Sequence, residues 1–267
     1  MTEAAVTEQV SQRSFFGVSA LLVAASAMVT IVWCESMSAM GGMLMPGGWT
    51  MSMVWMRMPE QTWSGLAASF LSMWIVMMVA IMLPSLVPAL LRYRPAVGGS
   101  RNAPLGRLTA LAGLGYFFVW TMFGLVAFSL GVALAAFEMQ NPALARSIPI
   151  TVGVIVVIAG AFQFTPWKSL HLARCQYDLT DNDTLTVDVT TAWRHGLRLG
   201  VHCAICCAGL MTILLVFGIM DLGAMAAVAA AINVERLVPG GARVTRAIGA
   251  VTVVVGLYLI ARAGLPL

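Results

Sequence analysis

Charge is what this sequence has least of. Only 10% of its 267 residues are Asp, Glu, Lys or Arg, and 60% are hydrophobic, whereas a soluble domain carries about 25% charged residues. A soluble globular fold is therefore excluded, and the chain reads as an integral membrane protein whose first partner is the lipid bilayer. Histidine is scarcer still, at three residues. A Ser-His-Asp arrangement, a phosphate-binding loop, a dinucleotide fingerprint, internal repeats and low-complexity segments are all missing. Asp181 and Asp183 lack the glycine and the closing glutamate of a calcium loop and read as solvated loop acids. The net charge of +4 is no nucleic-acid signal, because the basic residues sit between hydrophobic stretches.

Those stretches define the architecture. Runs near the 20 residues that a spanning helix needs fall at 15–34, 66–91, 108–130, 147–165, 199–220, 221–235 and 247–262. Each is read as helix, since lipid offers no water to an open backbone. The sixth is short and amphipathic, a half-span or a segment folded back on the fifth. The expectation is an all-α polytopic transmembrane helix bundle with six to seven spans. It comprises an N-terminal tail at 1–14 and one transmembrane domain at 15–267, with an outer loop at 35–65 and an inner loop at 166–198. Basic residues mark cytoplasmic loops. With a cytoplasmic N-terminus, Arg13, Arg92, Arg94, Arg101, Arg107, Lys168, Arg174, Arg194, Arg198, Arg236, Arg243 and Arg246 all fall inside, leaving Arg57, Arg146 and Arg262 outside. This orients the chain with its N-terminus inside the cell and its C-terminus outside, and its first span is an uncleaved anchor. The inner loop offers a short hairpin at "DNDTLTVDV".

Against this apolar background, soft metal ligands form three groups. The outer loop holds Met37, Met40, Met43, Met45, Met51, Met53, Met56 and Met58, eight of the nineteen methionines. Thioethers bind Cu(I) or Ag(I) and ignore hard cations, although methionine is also a flexible apolar filler. The second span, "SMWIVMMVAIMLPSLVP", places Met73, Met77, Met78 and Met82 within a half-turn at 100° per residue, and Pro84 and Pro88 loosen its inner end. The fifth span carries "VHCAICCAGLM", in which His202 and Cys206, and Cys203 and Cys207, are i,i+4 pairs with Met211 at the edge of the same face. Cysteine alone is a common buried residue, whereas an intramembrane ionisable group is a functional hypothesis by default. Cys207 lies ~13 Å beyond Arg198, and Met82 ~15 Å from Arg92. If spans two and five are neighbours, their sulfurs meet at matching depth. Elsewhere, Glu35 sits beside Cys34 at an outer helix end. Glu235 and Arg236 read as a local ion pair, Asp221 as a helix cap, and His171 and Cys175 as exposed loop residues.

The segments "MWIVMMVAIMLPSLVP", "GYFFVW", "FQFTPWKSLHLARC" and "GLRLGVHCAICCAGLMTILLVFGIMDLGAM" occur in that order over residues 66–240. They resemble a bacterial family of predicted metal-binding integral membrane proteins, with departures at Phe162-Gln163 and at Gln176-Tyr177. The resemblance implies a polytopic fold and a metal site at His202, Cys203, Cys206, Cys207 and Met211, with the methionine-rich span as its companion.

The leading expectation is a protein that binds and moves or delivers Cu(I): captured by the outer methionines, relayed by Met77, Met78 and Met82, and held by the fifth span. Its partners would be other membrane subunits or a periplasmic metal carrier. The alternative is a copper-dependent membrane oxidoreductase or its accessory or structural subunit. An enzyme needs an open metal position and a substrate path, and the carboxylates and extra histidines such sites use are scarce here.

Overall fold

The computed structural model describes residues 3–39, 41–46, 48–57, 61–97, 105–177, 188–238 and 241–264. These form eight α-helices and one small hairpin: α1 (Glu3–Ala39), β1 (Gly42–Leu44), β2 (Thr50–Ser52), α2 (Trp63–Val97), α3 (Leu105–Gln140), α4 (Pro142–Phe162), α5 (Pro166–Tyr177), α6 (Val189–Phe217), α7 (Leu222–Leu237) and α8 (Gly241–Gly264). Six of them, α1, α2, α3, α4, α6 and α8, are long and apolar enough to cross a membrane.

The boundaries follow local chemistry. Pro142 and Pro166 open α4 and α5, where a missing N–H costs nothing, and Thr165 Oγ1 accepts from Lys168 N at 3.3 Å to cap α5. Gly218, with φ of 110°, ends α6. Asp221 Oδ1 accepts from Ala224 N at 2.8 Å, which is the cap expected of it. The sixth apolar segment is thus a 16-residue helix, too short for a full crossing, that folds back along α6. The helices also outrun their apolar cores. α1 already begins within the expected tail, and α6 starts at Val189, ten residues before the apolar run. The described part of the expected inner loop at 166–198 is thus α5 and, from Val189, the first turns of α6; the hairpin expected at 181–189 lies almost wholly outside the described residues. The outer loop contains the hairpin: β1 and β2 pair antiparallel, with Met43 opposite Met51.

α1 lies against α2 on the rim, while α3 and α6 run side by side in the same direction. A Cβ on Gly196 would overlap the Ala112 carbonyl, and one on Gly200 would come within 2.9 Å of Val119. This glycine pair, four residues apart, is the small-residue spacing that lets membrane helices approach closely. α4 and α8, running in opposite directions, also meet at glycines, Gly153 against Gly256 and Gly160 against Gly249. In the core, Trp74 of α2 fits where Gly124 of α3 has no side chain, and its indole N–H donates to Trp120 O at 2.9 Å. Beside the proline-weakened stretch of α2, Asn233 Nδ2 donates to Ile81 O at 3.0 Å. Such side-chain bonds satisfy backbone groups that lipid cannot.

Candidate metal centre

Cys203, Cys206 and Cys207 all point into the bundle, at 0%, 0% and 1% exposure, and none is in a disulfide. Cys207 Sγ lies 3.9 Å from both Cys203 Sγ and Cys206 Sγ. The spacing has a chemical meaning. Thiolates bonded to one metal at about 2.3 Å sit about 4 Å from each other. The three sulfurs are strung along one helix, however, and among the described residues no three His, Cys, Asp or Glu side chains converge on one point. A metal taken by two of these thiols would draw its remaining ligands from thioethers. Met77, Met78, Met82 and Met211, all at 1% exposure or less, belong to the same contiguous core cluster as the three cysteines. Two thiols and several thioethers are a soft set, suited to Cu(I).

Polar groups from four other helices close around this sulfur-bearing stretch. Tyr116 of α3 donates its hydroxyl to Cys203 Sγ at 3.0 Å. Arg236 of α7 donates from one nitrogen to Cys203 Sγ at 3.0 Å and to Ser85 Oγ of α2 at 2.9 Å. Lys168 of α5 donates to the Cys206 carbonyl at 2.6 Å and pairs with Glu235 Oε2 at 2.9 Å, both side chains 1% exposed. The local pair expected between Glu235 and Arg236 is thus replaced by two longer reaches, because neighbours on a helix diverge by 100°. Lys168 and Arg236, counted as loop charges in the sequence, are buried. Charge at this depth is expensive and is found where it pairs or functions.

Arg236 also fixes the register of the two sulfur-bearing helices. α2 and α6 do not run as close neighbours: α2 packs mainly on α1 and α3, α6 mainly on α3, and α7 touches both. Because one guanidinium nitrogen bonds both Ser85 and Cys203, those residues share a level. The helices run in opposite directions, so Ile81 and Cys207 lie level ~6 Å further on, and Met77 and Met211 another ~6 Å beyond.

The other expected ligands fall elsewhere. His202, half-buried, turns to α5, its ring 6.0 Å from that of His171. His171, expected in an exposed loop, is only 8% exposed and sits 4.4 Å from Trp167, centroid to centroid. In the hairpin, Met45 and Met51 are buried against Ala135 and Ala145, with Trp49 and Met56 alongside, and Trp49 Nε1 donates to Ala145 O at 2.8 Å. Met43 is exposed, and Met37 is partly buried against the main core. Met40, Met58 and the side chain of Met53 lie outside what the structure describes. A separate cavity of about 620 Å³ between α4, α6, α7 and α8 is lined by residues such as Leu210, Val228 and Val251. It presents no sulfur or imidazole and is no part of this centre.

Tyr116, Lys168, Ser85 and Arg236 were not singled out as site residues from the sequence. The available signal was weak: two cations, each within a few residues of apolar stretches, that a loop tally absorbs. Among proteins of known character, no curated protein and no solved structure matches this chain. The family model described as copper chaperone PpoB2 matches residues 71–259, from the third turn of α2 almost to the end of α8 and including every group around the three thiols. The chain therefore belongs to the PpoB2 copper chaperone family.

Proposed function

We propose that this protein carries Cu(I) within the bacterial inner membrane and hands it to a partner, with Cys203, Cys206 and Cys207 as its principal holding site. The observation that carries this reading is the cluster of three reduced, buried thiols, Cys207 Sγ standing 3.9 Å from each of the other two, in a core shared with four methionines. Copper is cargo here. Each thiol that takes it gives up a proton, and two thiolates on one Cu(I) carry a net charge of −1. Arg236, 3.0 Å from Cys203, is placed to offset that charge where water cannot, and Tyr116 donates to the same sulfur. Met77, Met78, Met82 and Met211 supply exchangeable thioethers leading away from the thiols. The exposed or half-exposed outer methionines Met37, Met43 and Met56 would meet copper first. Passage from thioether to thiolate is a gradient of rising affinity, which favours inward movement, and a thiol site suits the reducing side. His202 and His171 flank the route on the basic side. Donor or recipient would be a periplasmic metal carrier or another membrane subunit.

The test is elemental analysis of the purified protein after anaerobic Cu(I) loading, beside Cys203→Ser/Cys206→Ser/Cys207→Ser. The wild type should hold at least one copper per chain more than the triple variant. Equal copper in the two proteins would overturn the thiol site.

A further inference from the structure

Away from the three thiols, one further cysteine meets a methionine from a distant part of the chain. Cys34, near the end of α1, donates from its thiol to Met220 Sδ at 3.9 Å. Met220 lies in the turn between α6 and α7, 186 residues away. α1 is largely exposed; only 11% of its most apolar window is buried. Cys34 is nonetheless 2% exposed and belongs to the main core cluster, as do Met37 and Met220 at its edge. The site lies at the membrane face that carries the hairpin, because β1 begins three residues after α1 ends and α6 ends at this level. Glu35, exposed beside it, places a carboxylate at the approach.

We infer that Cys34 and Met220, with Met37 one turn further along α1, form a second Cu(I) site at the entrance of the bundle. The inference rests on the Cu(I) reading above, but not on the three thiols of α6. The sulfur spacing equals that in the deeper cluster and fits the separation of about 4 Å between sulfurs sharing one metal. The balance is simple: the Cys34 thiol releases its proton to water, Cu(I) bonds the thiolate and the Met220 thioether, and neither copper nor sulfur changes oxidation state. One thiolate on one Cu(I) leaves the unit neutral. A neutral complex needs no counter-ion at an apolar boundary, where a charged one is costly. With a single thiolate, this site holds copper less firmly than the dithiolate below it, as an entry point should. Met220 closes the loop at the end of the helix that carries Met211 and Cys207, so the two sites stand on one element. Cys34 precedes the stretch matched by the family model, residues 71–259, so family membership does not assign it.

The experiment counts Ag(I), a redox-inert stand-in for Cu(I), on the full-length detergent-purified chain after desalting. Cys203→Ser/Cys206→Ser/Cys207→Ser should keep one equivalent, and adding either Cys34→Ser or Met220→Leu should remove it. In the wild-type background, each of those single changes should lower the total by one equivalent, and Met220→Leu, which keeps volume and apolarity, should do so with little shift in the metal-free melting temperature. This covers the case in which the combined variants do not fold. Retention of the equivalent in Cys34→Ser would assign it to another sulfur, that of Cys175 or of the hairpin methionines, and overturn the entrance site. A triple variant that folds and binds no Ag(I) would overturn it as well, while upholding the thiol site. A triple variant binding as much as the wild type, with that silver lost on changing Cys34, would leave the entrance site standing and remove the deeper one.

Discussion

The sulfur of the hairpin and the sulfur of α6 are chemically kin, yet the fold treats them differently. Around Met45 and Met51 the neighbours are alanine methyls and indoles, and the polar contact nearby, from Trp49 to the Ala145 carbonyl, pins backbone and bypasses sulfur. Around Cys203 the neighbours are a phenol and a guanidinium, both donating to the sulfur itself, in a region where each such group costs several kcal/mol to bury unsatisfied. Apolar packing explains the first arrangement completely. It does not explain the second, because an alanine or leucine at Cys203 would take away the sulfur to which both Tyr116 and Arg236 donate. Burial of sulfur is therefore weak evidence for a metal site, and the polar groups built around it are much stronger evidence.

The largest effect expected is on the charges that hold the thiol region together. Lys168→Met withdraws the ammonium from both Glu235 and the Cys206 carbonyl, and breaking a buried pair from one side costs about 3–5 kcal/mol. Lys168→Met/Glu235→Leu removes both charges and should recover most of that loss. Thermal unfolding in detergent checks this. Equal melting of the single and double variants would mean that the pair is not coupled. A smaller effect belongs to Arg236→Gln, which keeps a donor but removes the charge beside Cys203. A charge-assisted hydrogen bond contributes about 1.5–3 kcal/mol, so Cu(I) affinity measured by chelator competition should fall about 10- to 100-fold. Smaller again is Tyr116→Phe, a neutral hydrogen bond of about 1 kcal/mol, or about fivefold in affinity. If both variants bind copper like the wild type, the polar shell is structural and the contrast with the hairpin loses its meaning.

The sequence disclosed the architecture because lipid leaves little choice. The apolar runs became helices, and Asp221 became a cap. The helix ends were less legible, since α6 continues ten residues past its apolar run into a polar stretch that tertiary contacts with α3 and α5 stabilise. The thiols were visible as residues, and their shared face followed from the helical period. Their surroundings were not visible, because Lys168 and Arg236 look identical to loop cations until α5 and α7 are seen folded against α6. His202 shows the same limit from the other side: one position from Cys203 in the chain, it looks 100° away along the helix surface and meets His171 instead of Tyr116.

The smallest effect expected is also the one that isolates the contrast. Met45→Leu/Met51→Leu keeps volume and apolarity and removes two thioethers. Volume-conserving swaps in a core usually cost less than about 1.5 kcal/mol, so the melting temperature should fall by a few degrees at most. Copper content after loading should not change, because both sulfurs are enclosed by Ala135, Ala145 and Trp49 and offer no open approach. Met43→Leu, on the exposed side of the same strand pair, should leave the melting temperature unchanged and slow copper uptake. A loss of bound copper in the Met45→Leu/Met51→Leu variant would show that the hairpin opens to bind metal, and a packing cluster and a ligand cluster could then no longer be told apart by their neighbours alone.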